Sequence, residues 1–565
     1  MKRLLSTITA ALVSAVLLNA ADFRMVVLPV EFSDVRFTDT QTNVYNKVSE
    51  ATRYLDSQFS PKYSFSITVL SVVRLPYAMS RYGSNSTSMR DTGLDEAIRV
   101  ACIQSQADFS TYDNDGDGYI DIICVITAGR SEASGGGADC IWPQQGWLHD
   151  RSGTMVLNGK TADCFAVCPE LASTGTFCHE ICHAFGLSDM YDTDGRLSGG
   201  TAKGLWGNLS LMDSGGALPN FCAIELEQLG FGTRVPAEIG HHTLRPSGSS
   251  REYRRIESDN EDEYFLLECR DNKGWDACLG GAGLVIYHID RSISDAWYSD
   301  SHRRNLTAAE RWQYNQVNCR PEHPCARVME AVPGTDDIAQ VFFPQPGHTA
   351  FGSETDPSFR FWSGTTSEKA ICNIRLASDG SVSFDLIVPI TLSDTQVFQD
   401  AAIIGWQVDG SLKLRECNIT LSNSVSTLQS FKLYPSADGI YSFTAENLEP
   451  QNDYIATVRA ICTDGSTFSR TVYFKTKVRS QGSRPFIYLN SVSRGDDGSF
   501  ERGTKLPLRI YNATDVREVR WYFNGIRIFP AADGFWQITS VGILKAEIWY
   551  SDRSCEIIEK SINVK

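Results

Sequence analysis

The sequence predicts a multidomain chain: an α/β domain, then a β-rich domain, then two β-sandwich modules. Its 565 residues are too many for a single hydrophobic core. Apolar runs of strand length mix with amphipathic helical stretches up to about residue 235. Beyond residue 245 helix signals become rare, and strand-like runs alternate with polar, Gly- and Asp-rich loops.

The chain opens with Lys2 and Arg3, a mostly apolar stretch from Leu4 to Leu18, and the small residues Ala20 and Ala21. That layout predicts a secretory signal peptide over residues 1–20; a core helix is the competing reading. An α/β domain follows over 21–245. Within it, residues 24–32 (RMVVLPVEF) and 119–129 (YIDIICVITAG) read as buried strands. Residues 43–58 read as an amphipathic helix, and 219–230 as a helix that stops at Gly230. The β-rich domain is expected over 246–388, with strands at EYFLLECR (263–270) and AGLVIYHID (282–290). From 389 to 478 short strands recur at regular spacing. Trp406 lies in an early one, and Leu448, Pro450 and Tyr454 have the spacing of a tyrosine corner, which fits a fibronectin type III-like domain. A linker rich in Ser, Gly and Arg (477–485) leads into an immunoglobulin-like β-sandwich, assigned to 479–565, with a hairpin signal at Asn524-Gly525.

Residues 177–192 read FCHEICHAFGLSDMYD. A helix places residues i and i+4 on one face, so His179 and His183 can share one metal ion. Glu180 lies about 100° round the helix from His179, within reach of a water on that metal without being a ligand. This is the H-E-x-x-H arrangement of zinc peptidases. Chance is a weak competitor: with nine histidines in the chain, roughly 0.01 such strings are expected at random. Gly186 can end the helix in a left-handed turn, which brings Asp189 back toward the metal. Two imidazoles, one carboxylate and an open position make a catalytic zinc site. Many metzincins end this string with His; here it ends with Asp189. Met212, in GLWGNLSLMDSGG, is the candidate for the Met-containing turn beneath the zinc. Cys178 and Cys182 precede each histidine by one residue, so the helix aims them into the core.

These segments resemble the immune inhibitor A-type family of secreted zinc metallopeptidases. The resemblance rests on VVLPVEFSDVRF (26–37), HEICHAFGLSDMYD, LWGNLSLMDSG, and EYFLLECR followed by GLVIYHID, and covers about residues 22–388. It implies a metzincin-like catalytic domain and proteolysis of protein or peptide substrates. It also implies zinc at His179, His183 and Asp189, with Glu180 as general base. Family members often carry His where this chain has Gln144. No long segment separates the leader from the first strand, so restraint by a prosegment is not expected.

A second ion site is expected at DNDGDGYID. Oxygens of Asp113, Asp115, Asp117 and Asp121, with the Tyr119 carbonyl, can wrap a hard cation, and Gly118 permits the sharp turn. Calcium is the expected ion, because carboxylates this close repel without a cation. Asp192 and Asp194 read as a solvated loop, His241 and His242 as a loop pair, and His288 as a strand residue bonded locally. Tyr191 and Tyr287 are phenols that could serve an oxyanion.

The net charge of −16 repels phosphate backbones and argues against nucleic acid. No later stretch approaches the roughly eighteen apolar residues of a membrane span, and the chain is expected outside the cell. Sixteen cysteines fit an oxidising compartment, with Cys164–Cys168 and Cys319–Cys325 as local disulfide candidates. The sandwich modules suggest a cell surface or extracellular polymer as a partner. The alternative function is a weak or inactive adhesion or glycan-binding protein, suggested by those modules and by Trp297 and Trp312. The intact Glu180 argues against it.

Overall fold

A computed structural model describes residues 20–195, 197, 203–293, 298–300, 304–423, 425–433, 436, 438–477, 484–487, 489 and 499–565. Nearly all of the leader and Trp297 lie outside these residues. The chain forms two compact units. One holds residues up to Gln345 together with Ile374–Phe384; the other holds Pro346–Asn373 and Asp385–Lys565.

The first unit is organised around β1 (Ala21–Glu31). Met25 and Val27 enter one hydrophobic core, and Val26, Leu28 and Val30 enter a second on the opposite face. Alternate side chains are thus buried on both sides, which is why the run is continuously apolar rather than alternating. After α1 (Lys47–Phe59), β2 (Tyr63–Val69) pairs with β1 in parallel. Following α2 (Leu94–Ser105), β3 (Ile123–Thr127) pairs with the other side of β1. The sheet is completed by β4 (Gln144–Trp147) and β5 (Cys164–Pro169), and its strand order is β2-β1-β3-β5-β4. β4 alone among these five runs antiparallel, at the open edge. Helix α1 and α3 (Thr174–Ala184) cover one face, and α2 covers the other.

The expected strand over 119–129 is interrupted. Tyr119–Ile120 pairs with Thr161–Ala162, and β3 begins only at Ile123. Asp121 makes the break: its carboxylate accepts from the Asn114 backbone and side-chain amides, which draws it into the preceding loop. The helix expected over 219–230 starts later, as α4 (Ala223–Leu229), and ends at Gly230 with φ of 66°. His241 and His242 belong to a strand, Gly240–Leu244, rather than to a loop.

Cys124, Cys164, Cys168, Cys178, Cys182 and Cys222 all lie in one core and pack as small apolar side chains. All sixteen cysteines are free thiols. Cys164 and Cys168 stand four residues apart on β5, roughly 13 Å along a strand, too far for a disulfide. Further on, β6 (Glu263–Arg270) and β7 (Gly283–Asp290) pair antiparallel and are buried throughout. At the end of β6 the fully buried Arg270 is held by Asp276 and Glu268. Trp312 is buried, and its indole N–H donates to the Asp290 carbonyl, so it offers no exposed platform for a sugar.

In the second unit two four-stranded sheets bury Trp406, Ile419, Leu448, Tyr454 and Val458 in a common core. The Tyr454 hydroxyl accepts from the Glu449 backbone N–H at 2.8 Å. A further four-stranded antiparallel sheet near the C-terminus contains a tight hairpin at Asn524 and Gly525, both with positive φ.

Candidate metal centre

Helix α3 carries the two histidines because both of its ends are locally specified. Ser173 caps the start, its hydroxyl accepting from the Thr176 N–H. At the other end Leu187 N donates to Cys182 O and Gly186 N to His183 O, with Gly186 at φ of 92°. This Schellman turn reverses the chain toward Asp189. It also places Leu187 O 2.8 Å from Nδ1 of His183. Nδ1 of His179 meets Leu211 O at 3.0 Å, beside Met212.

Both imidazoles therefore spend Nδ1–H on a carbonyl and turn Nε2 inward. The two Nε2 atoms are 3.1 Å apart. Oδ1 of Asp189 lies 3.0 Å from one and 3.3 Å from the other, with no hydrogen-bond donor of good geometry. Three lone-pair-bearing atoms thus converge at one buried point. Such a set fits a tetrahedral cation with one open position. Without an ion, burial disfavours charge on His179, but the Asp189 carboxylate 3.0 Å away outweighs it and lifts the imidazole to about 9. Burial works against the Asp189 carboxylate too, yet the two histidines hold it well below the usual range.

The other oxygen of Asp189 is engaged by a residue that local sequence gave no reason to select. Asn315 donates from Nδ2 to Oδ2 of Asp189 at 2.6 Å, and its Oδ1 accepts from the Asp189 N–H at 2.6 Å. Asn315 holds a left-handed φ of 55°. An Asn315→Ala protein is expected to bind zinc about 10- to 100-fold more weakly, read by competition with a chromophoric chelator. Unchanged affinity would remove this bracket from the site.

Met212 is buried in the short helix Leu211–Ser214. The segment is pinned by Glu225, also unforeseen. Oε1 of Glu225 accepts from Met212 N at 3.1 Å and from Ser210 Oγ at 2.7 Å, and Oε2 from Cys222 N at 2.7 Å. The only local hint was a glutamate in the first turn of α4, the place of a capping-box acid.

Glu180 is buried beside the trio, and burial raises its carboxyl above the usual range. The backbone of Gln145, in the edge strand β4, works the other way and favours the ionised form. A cleft of about 640 Å³ opens here, lined by His179, Glu180, Trp142, Tyr191, Thr176 and Asp213. Tyr191 stands with its ring 6.4 Å from His179. Tyr287 is elsewhere, buried and donating to Glu268 at 2.5 Å. Burial pushes Asp213 up to about 6, and its carboxylate accepts from Gly207 N.

The expected calcium loop is brought together in part. Carboxylate oxygens of Asp113, Asp115 and Asp117 lie within 4.8 Å of one another. Asp121 turns its Oδ2 to Asn114 and stands outside that group. Lys160 Nζ sits 2.6 Å from Oδ2 of Asp113 and already offsets part of the negative charge. Asn114 also ties the loop to β1, accepting from Arg24 N and donating to Arg24 O. Asp192 and Asp194 are half-buried rather than solvated, and with Cys319 they too bring ligand atoms within 4.8 Å.

Residues 27–229 match the family described as immune inhibitor A peptidase M6, catalytic domain. Immune inhibitor A of Bacillus thuringiensis subsp. alesti is 26% identical over 182 residues, covering 26% of this chain and 26% of that protein. The pre-pro-metalloprotease PrtV of Vibrio cholerae serotype O1 is 30% identical over 220 residues, covering 33% of this chain and 23% of that protein. The chain thus spans about a quarter of the length of these curated relatives. A solved structure described as "Myokine structure" matches with 20% identity and a TM-score of 0.13, covering 16% of this chain and 92% of that one. So low a score bears on neither fold nor function.

Proposed function

We propose that this chain, whose residues 27–229 match an immune inhibitor A-type peptidase M6 catalytic domain, is a secreted zinc endopeptidase. The observation that carries the reading is the trio of His179, His183 and Asp189. Their Nε2, Nε2 and Oδ1 atoms face one another, while Leu211 O, Leu187 O and Asn315 engage the rest of each group. These residues would hold zinc, which when bound supplies Lewis acidity toward a scissile carbonyl and an attacking water. Glu180 takes the proton of that water and returns it to the leaving amine. The free edge of β4 pairs with an extended substrate segment through backbone hydrogen bonds, presenting it above Glu180. Tyr191 donates its phenol to the carbonyl oxygen as charge develops there.

The test uses the chain without residues 1–20. It should bind one zinc and cleave casein, lose cleavage to a chelator and regain it with zinc. Zinc binding with no cleavage of any protein would favour the adhesion reading.

The loop at Asp113, Asp115 and Asp117 is read as a calcium site that braces β1 through Asn114. Calcium should raise the thermal midpoint of the purified chain by about 2–4 °C, and Asp115→Ala should abolish that shift. A midpoint indifferent to calcium would reject the site. Residues 389–478 and 479–565 are read as fibronectin type III-like and immunoglobulin-like modules that anchor the enzyme to a surface or polymer. Loss of binding to cells or polymer on their deletion is the check.

A further inference from the structure

We propose that Arg90, laid on Trp142 at the cleft, forms a subsite for a substrate carboxylate, carried by an Asp or Glu side chain or by a peptide C-terminus. The inference rests on the proteolytic reading and deepens it by naming a substrate class. The guanidinium lies 4.0 Å from the centre of the Trp142 ring, and Trp142 lines the cleft shared by His179 and Glu180. A guanidinium stacked on an aromatic face keeps its in-plane N–H donors free, in the fork geometry that matches a carboxylate.

Arg90 is exposed, and among the described residues it has no such partner. Nearby Arg81 is paired with Glu96, whereas no carboxylate among the described residues forms an ion pair with Arg90. In a chain with 68 acidic and 52 basic residues, an arginine beside the catalytic cleft would be expected to find one. Its charge also reaches Tyr191, which lines the same cleft.

The stack is held from both sides. Asp91 is buried, with φ of 48°, and its Oδ2 accepts from Trp142 N at 3.2 Å and from Gln144 Nε2 at 2.5 Å. Arg151 donates from Nη1 to Asp91 O at 3.0 Å and to Arg90 O at 3.3 Å, and from Nη2 to Gln144 Oε1 at 2.6 Å. Gln144 thereby acquires a definite role, as the bracket between Asp91 and Arg151. These bonds lock the backbone on which Arg90 and Trp142 stand, so the cation is preorganised rather than loosely exposed.

The test digests N-acetylated, C-terminally amidated octapeptide pools, each with one position fixed as Glu or as Gln, using the zinc-loaded chain. A parallel set carries a free C-terminal carboxylate. Wild type should cleave Glu pools about five- to tenfold faster than Gln pools when Glu occupies one defined position relative to the scissile bond. Arg90→Gln should bring that ratio close to one, and Arg90→Glu should invert it. A preference that follows the free C-terminus instead identifies the chain end as the source of the carboxylate. Absence of either preference, or one that survives both substitutions, overturns the subsite. If wild type cleaves no pool, the proteolytic reading fails separately, and binding decides. Fluorescein-labelled Glu pools should then bind zinc-loaded Glu180→Gln protein more tightly than Gln pools do, and Arg90→Gln should erase the difference. Equal affinities overturn the proposal.

Discussion

Glu180→Gln is expected to lower kcat/KM for protein cleavage by about 10²- to 10⁴-fold while leaving zinc in place. The substitution keeps the side-chain volume and leaves an oxygen that can still accept a hydrogen bond. Proton acceptance does not survive, because a neutral amide has no basic oxygen. Zinc should stay because the atoms around the metal position belong to His179, His183 and Asp189. The measurement pairs steady-state kinetics on a peptide substrate with metal analysis of the same preparation. Activity within fivefold of wild type would sink the general-base assignment. Loss of zinc together with activity would make Glu180 part of the metal's support rather than a base.

How much of this site could be read from sequence follows the range of the contacts. His179, Glu180, His183, Gly186 and Asp189 lie within eleven residues, and a helix followed by a left-handed turn converts that spacing directly into geometry. Asn315 is 126 residues from Asp189, and no local periodicity marks it. Arg90 and Trp142 likewise meet only because Asp91 and Arg151 tie two distant loops together. The same limit explains the errors. Trp312 looked like a free aromatic because its partner, the Asp290 carbonyl, lies on a strand 22 residues upstream of the helix that carries it. Cys164 and Cys168 looked like a loop staple because spacing alone does not reveal that both stand on one extended strand. In the acidic loop the pattern placed Asp121 on the ion, whereas Asn114, just upstream, holds its carboxylate. Strand and helix identities held well where the run was long and apolar, as at 263–270.

Glu225→Leu is expected to destabilise the fold by about 3–5 kcal/mol and to weaken zinc binding about 10- to 100-fold. Leucine fills nearly the same space, so the effect isolates hydrogen bonding from cavity formation. It leaves the Cys222 N–H without its acceptor, and the Ser210 hydroxyl too, in a fully buried setting. The Met212 N–H keeps only Ser210 Oγ, at 3.0 Å. Each stranded donor costs on the order of 1–3 kcal/mol. The link to the metal runs through one peptide: Leu211 O orients His179, and Leu211 directly precedes the residue Glu225 holds. Once that segment loosens, His179 loses the carbonyl that fixes its tautomer, and Nε2 is no longer held toward the metal. Urea unfolding of the metal-free protein gives the stability loss, and chelator competition gives the zinc affinity. A stable protein with weakened zinc would leave Glu225 a role in orientation alone. Full zinc affinity in a destabilised protein would show that the Met212 segment holds its place without Glu225, and that His179 is oriented by its own helix.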